Sequence, residues 1–193
     1  PYVLSEDCAL AAAVFALCGR RLGEARYIQA AQRAVSFLIA LPTAGNMPAV
    51  LPPSVSPTSA LSAQATCGAA GALSLALLTL GQDDAMGEYL DYGLRTLGAA
   101  LHAFTTRDGM PMHTPQDAAA FFPRIPALYD GELPSPAALL LHALALADAM
   151  RPQAGYLDAS RVLWEAAAPF AREQPLACAS LIDAANITLS KSP

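Results

Sequence analysis

The feature that most constrains the fold is a long stretch without charge, because residues 34 to 82 contain no Asp, Glu, Lys or Arg. Its longest helix-like apolar part runs from Ala65 to Leu80, about 16 residues against the roughly 20 that a bilayer-spanning helix needs. Gly, Ser and Thr interrupt this part repeatedly. We therefore predict a helix enclosed by protein, and no membrane partner.

Composition favours an all-α fold. The 193 residues are 54% apolar and include 43 Ala and 29 Leu, the leading helix formers, whereas Phe, Tyr and Trp make up only 7%. This length supports one hydrophobic core, so we predict a single domain over residues 1–193. The net charge of −5 and the pI near 5.0 accompany a lack of basic runs, which argues against nucleic acid as a partner.

Apolar residues recur at helical spacing between Gly and Pro breaks, and this pattern predicts seven helices. We place them at residues 5–19, 24–40, 59–80, 83–103, 136–150, 154–172 and 175–187. The odd-numbered helices carry few charges and the even-numbered ones carry several. A helix that is apolar all round is enclosed, so we expect the odd helices to be inner and the even helices to keep one wet face.

A repeat links these helices into pairs. Each even-numbered helix opens near a tyrosine (Tyr27, Tyr89 or Tyr156) with a small residue four positions later, which lets it approach an inner helix closely. The repeat predicts helical hairpins over residues 5–40, 59–103 and 136–172, followed by a lone helix at 175–187.

The connections between the hairpins are long, at roughly residues 41–58 and 104–135, whereas the turns inside them are short. All long loops therefore gather at the N-terminal ends of the odd helices. Free N–H groups at helix N-termini favour polar or anionic ligands, so we expect any functional site at this end.

Three segments resemble a known family. Residues 22–34, the segment Phe104 to Thr114 and the run from Arg124 to Ser135 are similar to the six-hairpin-glycosidase-like domain of YyaL-type proteins, which include the spermatogenesis-associated thioredoxin-like proteins. The resemblance implies an (α/α) toroid related in fold to sugar hydrolases and sugar 2-epimerases. It also implies an accompanying thioredoxin-like domain, which is not found in this sequence.

This chain departs from the family pattern. It has Glu6-Asp7 where relatives have Trp-Asn, and Pro136-Ala137 where they have Gly-Asn, which predicts a degenerate site. Seven helices are too few to close a toroid. The chain, which begins with Pro1, is therefore expected to be part of a longer protein or to be completed by a partner, either a second copy in a homo-oligomer or a missing domain.

Acid–base chemistry on a carbohydrate or polyol needs two carboxyl groups on opposite sides of the reacting bond. We take Glu132 or Asp130 as the candidate proton donor, and Asp7 or Glu6 as the opposing carboxylate. The alternative for Glu6 and Asp7 is that they complement the dipole of a helix that Ser5 caps, and the alternative for Asp130 is a turn.

Four further residues are candidates for binding the substrate, namely Arg124, Tyr129, Ser135 and His113. Arg124 lies among Phe121, Phe122 and Tyr129, an arrangement that offers a planar cation beside aromatic rings. The alternative is that Arg124 pairs with Asp130 or Asp117 and holds the loop together.

The remaining residues point to no other chemistry. The histidines are too far apart in sequence for a metal site, and no phosphate-binding glycine loop occurs, so we predict no metal and no cofactor. His142 is expected in the core, and the four cysteines are expected to be buried free thiols. With no signal segment recognised, the cytoplasm is the default location. Two functions stay open: a carbohydrate-processing domain and a non-catalytic interaction module.

Overall fold

The computed structural model describes residues 3–41, 51–55, 65–84, 87–118 and 123–190. Within these ranges the chain is built mainly from α-helices, which confirms the all-α prediction. The helices are α1 (Ser5–Leu22), α2 (Ala25–Ile39), α3 (Cys67–Gly81), α4 (Glu88–Phe104), α5 (Pro136–Met150), α6 (Tyr156–Glu173) and α7 (Ala179–Leu189). A short 3-10 turn, Leu176–Cys178, leads into α7. The predicted start of the third helix, residues 59–64, lies outside the described residues.

A small element that the sequence analysis did not predict precedes the first helix. Strand β1 (Val3–Leu4) pairs antiparallel with strand β2 (Ser54–Val55). The expectation that Ser5 caps α1 is wrong, because Leu4 occupies the cap position and makes no side-chain capping bond. The Ser5 hydroxyl instead donates to the carbonyl of Pro52, so it joins the start of α1 to the loop that follows α2.

Helix α3 lies at the centre of the described structure and packs against α1, α2, α4 and α5. Nearly all of its residues are buried, as the uncharged sequence predicts. Helices α1, α3, α5 and α7 contact one another in that order, and α2, α4 and α6 pack against them. The core therefore lies between these two sets of helices.

Helix α1 differs from the expectation of an enclosed inner helix. Val14, Phe15 and Leu17 are 51%, 43% and 46% exposed. The reason is the position of α1 at the end of the row, where it packs mainly on α2 and α3. Its buried face consists mostly of Ala residues, and its larger apolar side chains point outward.

Small residues set the distance between neighbouring helices. The residues four positions after the repeated tyrosines, Ala31, Gly93 and Ser160, are all buried, as predicted. A Cβ atom on Gly93 would lie 3.0 Å from the Leu78 side chain of α3. At the turn between α3 and α4, a Cβ atom on Gly81 would lie 2.8 Å from the Leu90 backbone nitrogen.

The described loops run along the N-terminal ends of α3, α5 and α7. Cys67 N–H donates to the His113 carbonyl at 3.0 Å, and Ala137 N–H donates to the Ala127 carbonyl at 3.0 Å. A turn is present at Asp108-Gly109, where Gly109 N–H donates to the Thr106 carbonyl at 3.0 Å, and Gly109 has a φ of 84°, a conformation that favours glycine.

Among the described helices, none combines the length and apolar content needed to cross a bilayer. The four cysteines are free, as predicted. Cys67 and Cys178 are buried, whereas Cys8 and Cys18 are only partly buried, which corrects the expectation that all four are buried.

Candidate functional site

The carboxylate of Glu6 lies against the first turn of α3. A Cβ atom built on Gly68 would meet the Glu6 carboxylate at 2.1 Å, so only glycine leaves this space open. Thr66, the residue that caps α3 by accepting a bond from Ala69 N–H at 3.2 Å, also shares a side-chain hydrogen bond with Glu6. The start of α1 and the start of α3 are therefore joined through one carboxylate.

Glu6 has a carboxyl pKa above its usual value. Partial burial is the main cause, the nearby charge of Asp7 adds to it, and the hydrogen bond with Thr66 acts in the opposite direction. A raised pKa is the property that a proton donor requires. The surroundings of Glu6 therefore favour the protonated form of its carboxyl.

Arg124 holds the long loop together through a backbone carbonyl. Its Nε and one terminal nitrogen both donate to the Thr114 carbonyl, at 3.1 and 2.7 Å. The alternative that Arg124 pairs with Asp130 or Asp117 is therefore wrong in its partner, although a loop-holding role is present. The aromatic neighbours Phe121 and Phe122 lie outside the described residues.

Arg124 and Glu6 both lie close enough to Cys67 to influence its thiol. Burial of Cys67 raises the pKa of the thiol, the charge of Glu6 raises it further, and the charge of Arg124 lowers it. The fold thus brings two of the predicted site residues toward one buried position at the start of α3. This thiol stays protonated, so it is not a nucleophile at neutral pH.

Asp130 serves the starts of two other helices. Its carboxylate accepts from Ser135 N–H at 2.9 Å, from Ser180 N–H at 2.8 Å and from the Ser180 hydroxyl. Burial acts to raise the pKa of Asp130, but the hydrogen bonds from Ser180 and Ser135 together outweigh it, and the pKa is lowered. This geometry keeps the carboxylate ionised and supports a structural role that joins the loop to α5 and α7.

Ser135 is also used structurally. It is fully buried and caps α5, accepting from Ala138 N–H at 3.3 Å, with Pro136 in the first turn as the sequence predicts. The Ser135 hydroxyl lies 3.2 Å from that of Ser180. Its hydrogen-bonding capacity is therefore directed into the protein.

The other predicted site residues lie at the surface. Glu132, Asp7, Tyr129 and His113 are all exposed. The imidazole of His113 nevertheless has a lowered pKa, because the surrounding loop displaces part of its water. Its backbone donates to the Ile125 carbonyl at 2.9 Å, which adds to the loop structure.

Sequence reasoning missed Thr66 and Ser180, which contact Glu6 and Asp130. Thr66 left a signal, since a threonine directly before a long apolar run is typical of a helix cap. Ser180 left none, because it meets a residue 50 positions earlier in the chain.

A separate apolar groove of about 340 Å³ lies between α1 and α5. We call it the inner groove. Its walls are positions 10, 13, 14 and 17 of α1 and positions 142, 145, 146 and 149 of α5, its floor includes Leu75, Thr79 and Gln82 of α3, and α7 contributes Ile187. Among the described residues that line this groove there is no Asp, Glu, Lys or Arg.

The position of His142 in the wall of the inner groove corrects its expected place in the core. It is half-buried, and burial lowers the pKa of its imidazole although the charge of Asp183 acts to raise it. The side chain is therefore mainly neutral at neutral pH, which leaves the groove without formal charge.

A second cavity, of about 360 Å³, lies at the end of the helices that is away from the long loops. Arg20 and Asp83, which form an ion pair, lie at the edge of this cavity. Of the eight predicted site residues, none lines either of these two cavities.

No family model matches the chain, and no curated protein matches its sequence.

Proposed function

We propose that the chain is a non-catalytic protein-interaction module that binds an α-helix in its inner groove. The observation that carries the proposal is the groove itself, an uncharged apolar surface on which Val14, Leu17 and Ile187 are 51%, 46% and 40% exposed. Exposed apolar side chains that line one continuous groove are typical of an interaction site. The lining of the groove is also too apolar to suit a sugar.

The proposal includes an architecture. The chain forms an open arc of an (α/α) toroid, in which α1, α3, α5 and α7 are the inner helices and α2, α4 and α6 the outer ones. The order of contacts between the helices and the resemblance to six-hairpin-glycosidase-like domains support it. In such an arc the inner helices face one concave side, and the inner groove runs along it.

The spacing of the groove residues suits a helical ligand. On both walls they follow the pattern i, i+3, i+4 and i+7, which places them on one face of each helix over about 10 Å. Two parallel rows of side chains with a floor between them accept the apolar stripe of an amphipathic helix. The absence of charged lining favours a stripe without charge.

The gain from docking is substantial for so small a surface. Full burial of a Val or Leu side chain contributes about 1.5 to 3 kcal/mol, so covering the exposed half of Val14 and of Leu17 contributes about 1 kcal/mol each. Ordering of the ligand opposes this gain. We therefore expect weak binding of a single helix, with a dissociation constant in the upper micromolar range or weaker.

A synthetic helical peptide of about 18 residues, with Leu and Ala at i, i+3, i+4 and i+7 and a fluorescent label, tests the proposal. We expect it to bind the wild-type chain and to bind Leu17→Glu at least about tenfold more weakly, because a carboxylate enters the apolar groove. Leu176→Glu is the matched control, since Leu176 is 92% exposed and lies outside the groove. Equal binding to both variants, or none to the wild type, contradicts the proposal.

The second candidate function is carbohydrate processing with Glu6 as the proton donor. It is favoured by one observation, the raised pKa of the Glu6 carboxyl at the loop-rich end. The engagement of Asp130 and Ser135 in helix capping argues against it, because those groups are not free to contact a substrate. Binding of a sugar or polyol that Glu6→Gln weakens, with no peptide binding, would favour this candidate over the interaction module.

A further inference from the structure

The described lining of the inner groove contains one titratable side chain, the imidazole of His142. His142 lies on α5 in the same row as positions 145, 146 and 149, so it faces the groove. The other described lining residues are apolar, apart from Thr79 and Gln82 of the floor, which carry no charge. The charge of the groove lining therefore depends on whether this imidazole is protonated.

The imidazole of His142 is half-buried and makes no hydrogen bond to the described part of the chain. In that part of the chain no buried polar side-chain atom lacks a partner, so the ring nitrogens of His142 are open to solvent. A partner that covers the groove removes this solvent. The loss costs neutral imidazole far less than imidazolium, because imidazolium loses the hydration of a full charge.

Asp183 of α7 is the charged group that acts on His142. Its carboxylate acts to raise the pKa of the imidazole, but partial burial outweighs it and the pKa is lowered. Asp183 is exposed, so solvent screens its attraction. Helices α1 and α3, which form the opposite wall and the floor, contribute no titratable side chain to the described lining. A protonated His142 therefore has no counterion inside the groove as described.

We propose that protonation of His142 prevents docking in the inner groove, so that an apolar helix binds while the imidazole is neutral and is released in acid. This inference rests on the proposed function and adds the regulation of the same site. A partner that fills the apolar groove disfavours the charged form of the imidazole in its wall. By reciprocity, the charged form disfavours the partner.

Linkage fixes the sign and the limit of this effect. Docking lowers the pKa of His142 further, because the imidazole loses solvent, so the complex holds fewer protons than the free chain. Binding is therefore strongest well above the pKa of the free chain and weakens as the pH falls through it. Each pH unit below that point weakens binding by up to about tenfold, since one proton must be released.

Two-dimensional NMR with the synthetic helical peptide tests the proposal. The peptide carries Lys and Gln outside its Leu and Ala stripe, so it does not titrate between about pH 5 and pH 7.5. The ring signals of His142 report its pKa, and the backbone signals report the dissociation constant at each pH. We expect the dissociation constant to rise as the pH falls through the pKa of the free chain. Saturating peptide should lower the pKa of His142.

Substitutions assign the effect to one residue. His142→Gln keeps a polar side chain that is neutral at every pH, so its binding should not change over this range. His102→Gln and His113→Gln are the matched controls, because they remove the other two histidines, which lie outside the groove, and both should keep the wild-type pH dependence. Asp183→Asn should lower the pKa of His142 and move the loss of binding to lower pH. Circular dichroism establishes that each variant keeps its helices in acid.

The outcomes separate this inference from the proposed function. If the wild type binds the peptide equally from about pH 7.5 to pH 5, or if the pH dependence persists in His142→Gln, regulation by His142 is overturned and the interaction module stands. Binding that strengthens in acid overturns the regulation as well. A chain that binds the peptide at no pH overturns both.

Discussion

Replacing Asp130 by Asn tests the structural role that the geometry gives this residue. Its two carboxylate oxygens accept from two backbone N–H groups, at 2.9 Å from Ser135 and 2.8 Å from Ser180. Asn has the same shape but only one acceptor oxygen, so one donor at a helix start is left without a partner. An unsatisfied donor costs about 1 to 3 kcal/mol, and because the site is only partly buried we expect a loss of about 2 kcal/mol in the free energy of unfolding.

Urea and thermal unfolding at pH 7 measure this loss. For a chain of this size, 2 kcal/mol corresponds to a decrease of about 4 to 8 °C in Tm. Glu132→Gln is the control, because Glu132 is exposed and lies two residues away, and we expect it to change stability by less than about 0.5 kcal/mol.

The pH dependence supplies an independent check. Because the hydrogen bonds lower the pKa of Asp130 below its ordinary value of 3.8, the unfolded chain takes up the proton first as the pH falls. The stabilisation is therefore complete well above pH 3.8 and is lost as the pH falls through the folded pKa. The difference between wild type and Asp130→Asn should narrow in acid. Equal stability at pH 7, or a difference that does not change with pH, would refute the reasoning.

Three glycine substitutions test the helix contacts. Gly81→Ala places a Cβ atom 2.8 Å from the Leu90 backbone nitrogen, so we expect a loss of about 1 to 3 kcal/mol in urea unfolding. In Gly98→Ala the new Cβ atom meets no other atom within 4 Å on the exposed side of α4, so we expect the free energy of unfolding to rise by about 0.5 to 1 kcal/mol. A decrease in the free energy of unfolding would contradict the packing. Gly68→Ala displaces only the flexible end of Glu6, so the fold should persist while the Glu6 pKa, followed by NMR, returns toward 4.5; an unchanged pKa would show that the carboxylate lies elsewhere.

Local sequence signals predicted the helices well. The enclosed α3 follows from its lack of charge, and the start of α5 follows from Ser135 and Pro136. These features depend on residues within a few positions of one another, so periodicity and capping preferences are sufficient to find them. The same signals failed at Ser5, whose hydroxyl bonds to a carbonyl 47 residues away instead of capping α1.

The properties of the candidate site residues were harder to predict from the sequence than the helices. Asp130 and Glu6 are both acids near helix starts, but nothing in their sequence neighbourhoods indicates that one carboxyl pKa is lowered and the other raised. That difference depends on the number of donors each carboxylate meets and on how much water it keeps. Both quantities are set by residues distant in the chain, such as Ser180.

The sequence by itself determined an all-α protein, because Ala and Leu dominate and charge is absent from its central stretch. Only the tertiary structure decided that α1 ends the row with Val14 and Leu17 exposed beside an uncharged groove. The physical reason is that apolar periodicity shows which face of a helix avoids water. It does not show whether a neighbouring helix is present to cover that face.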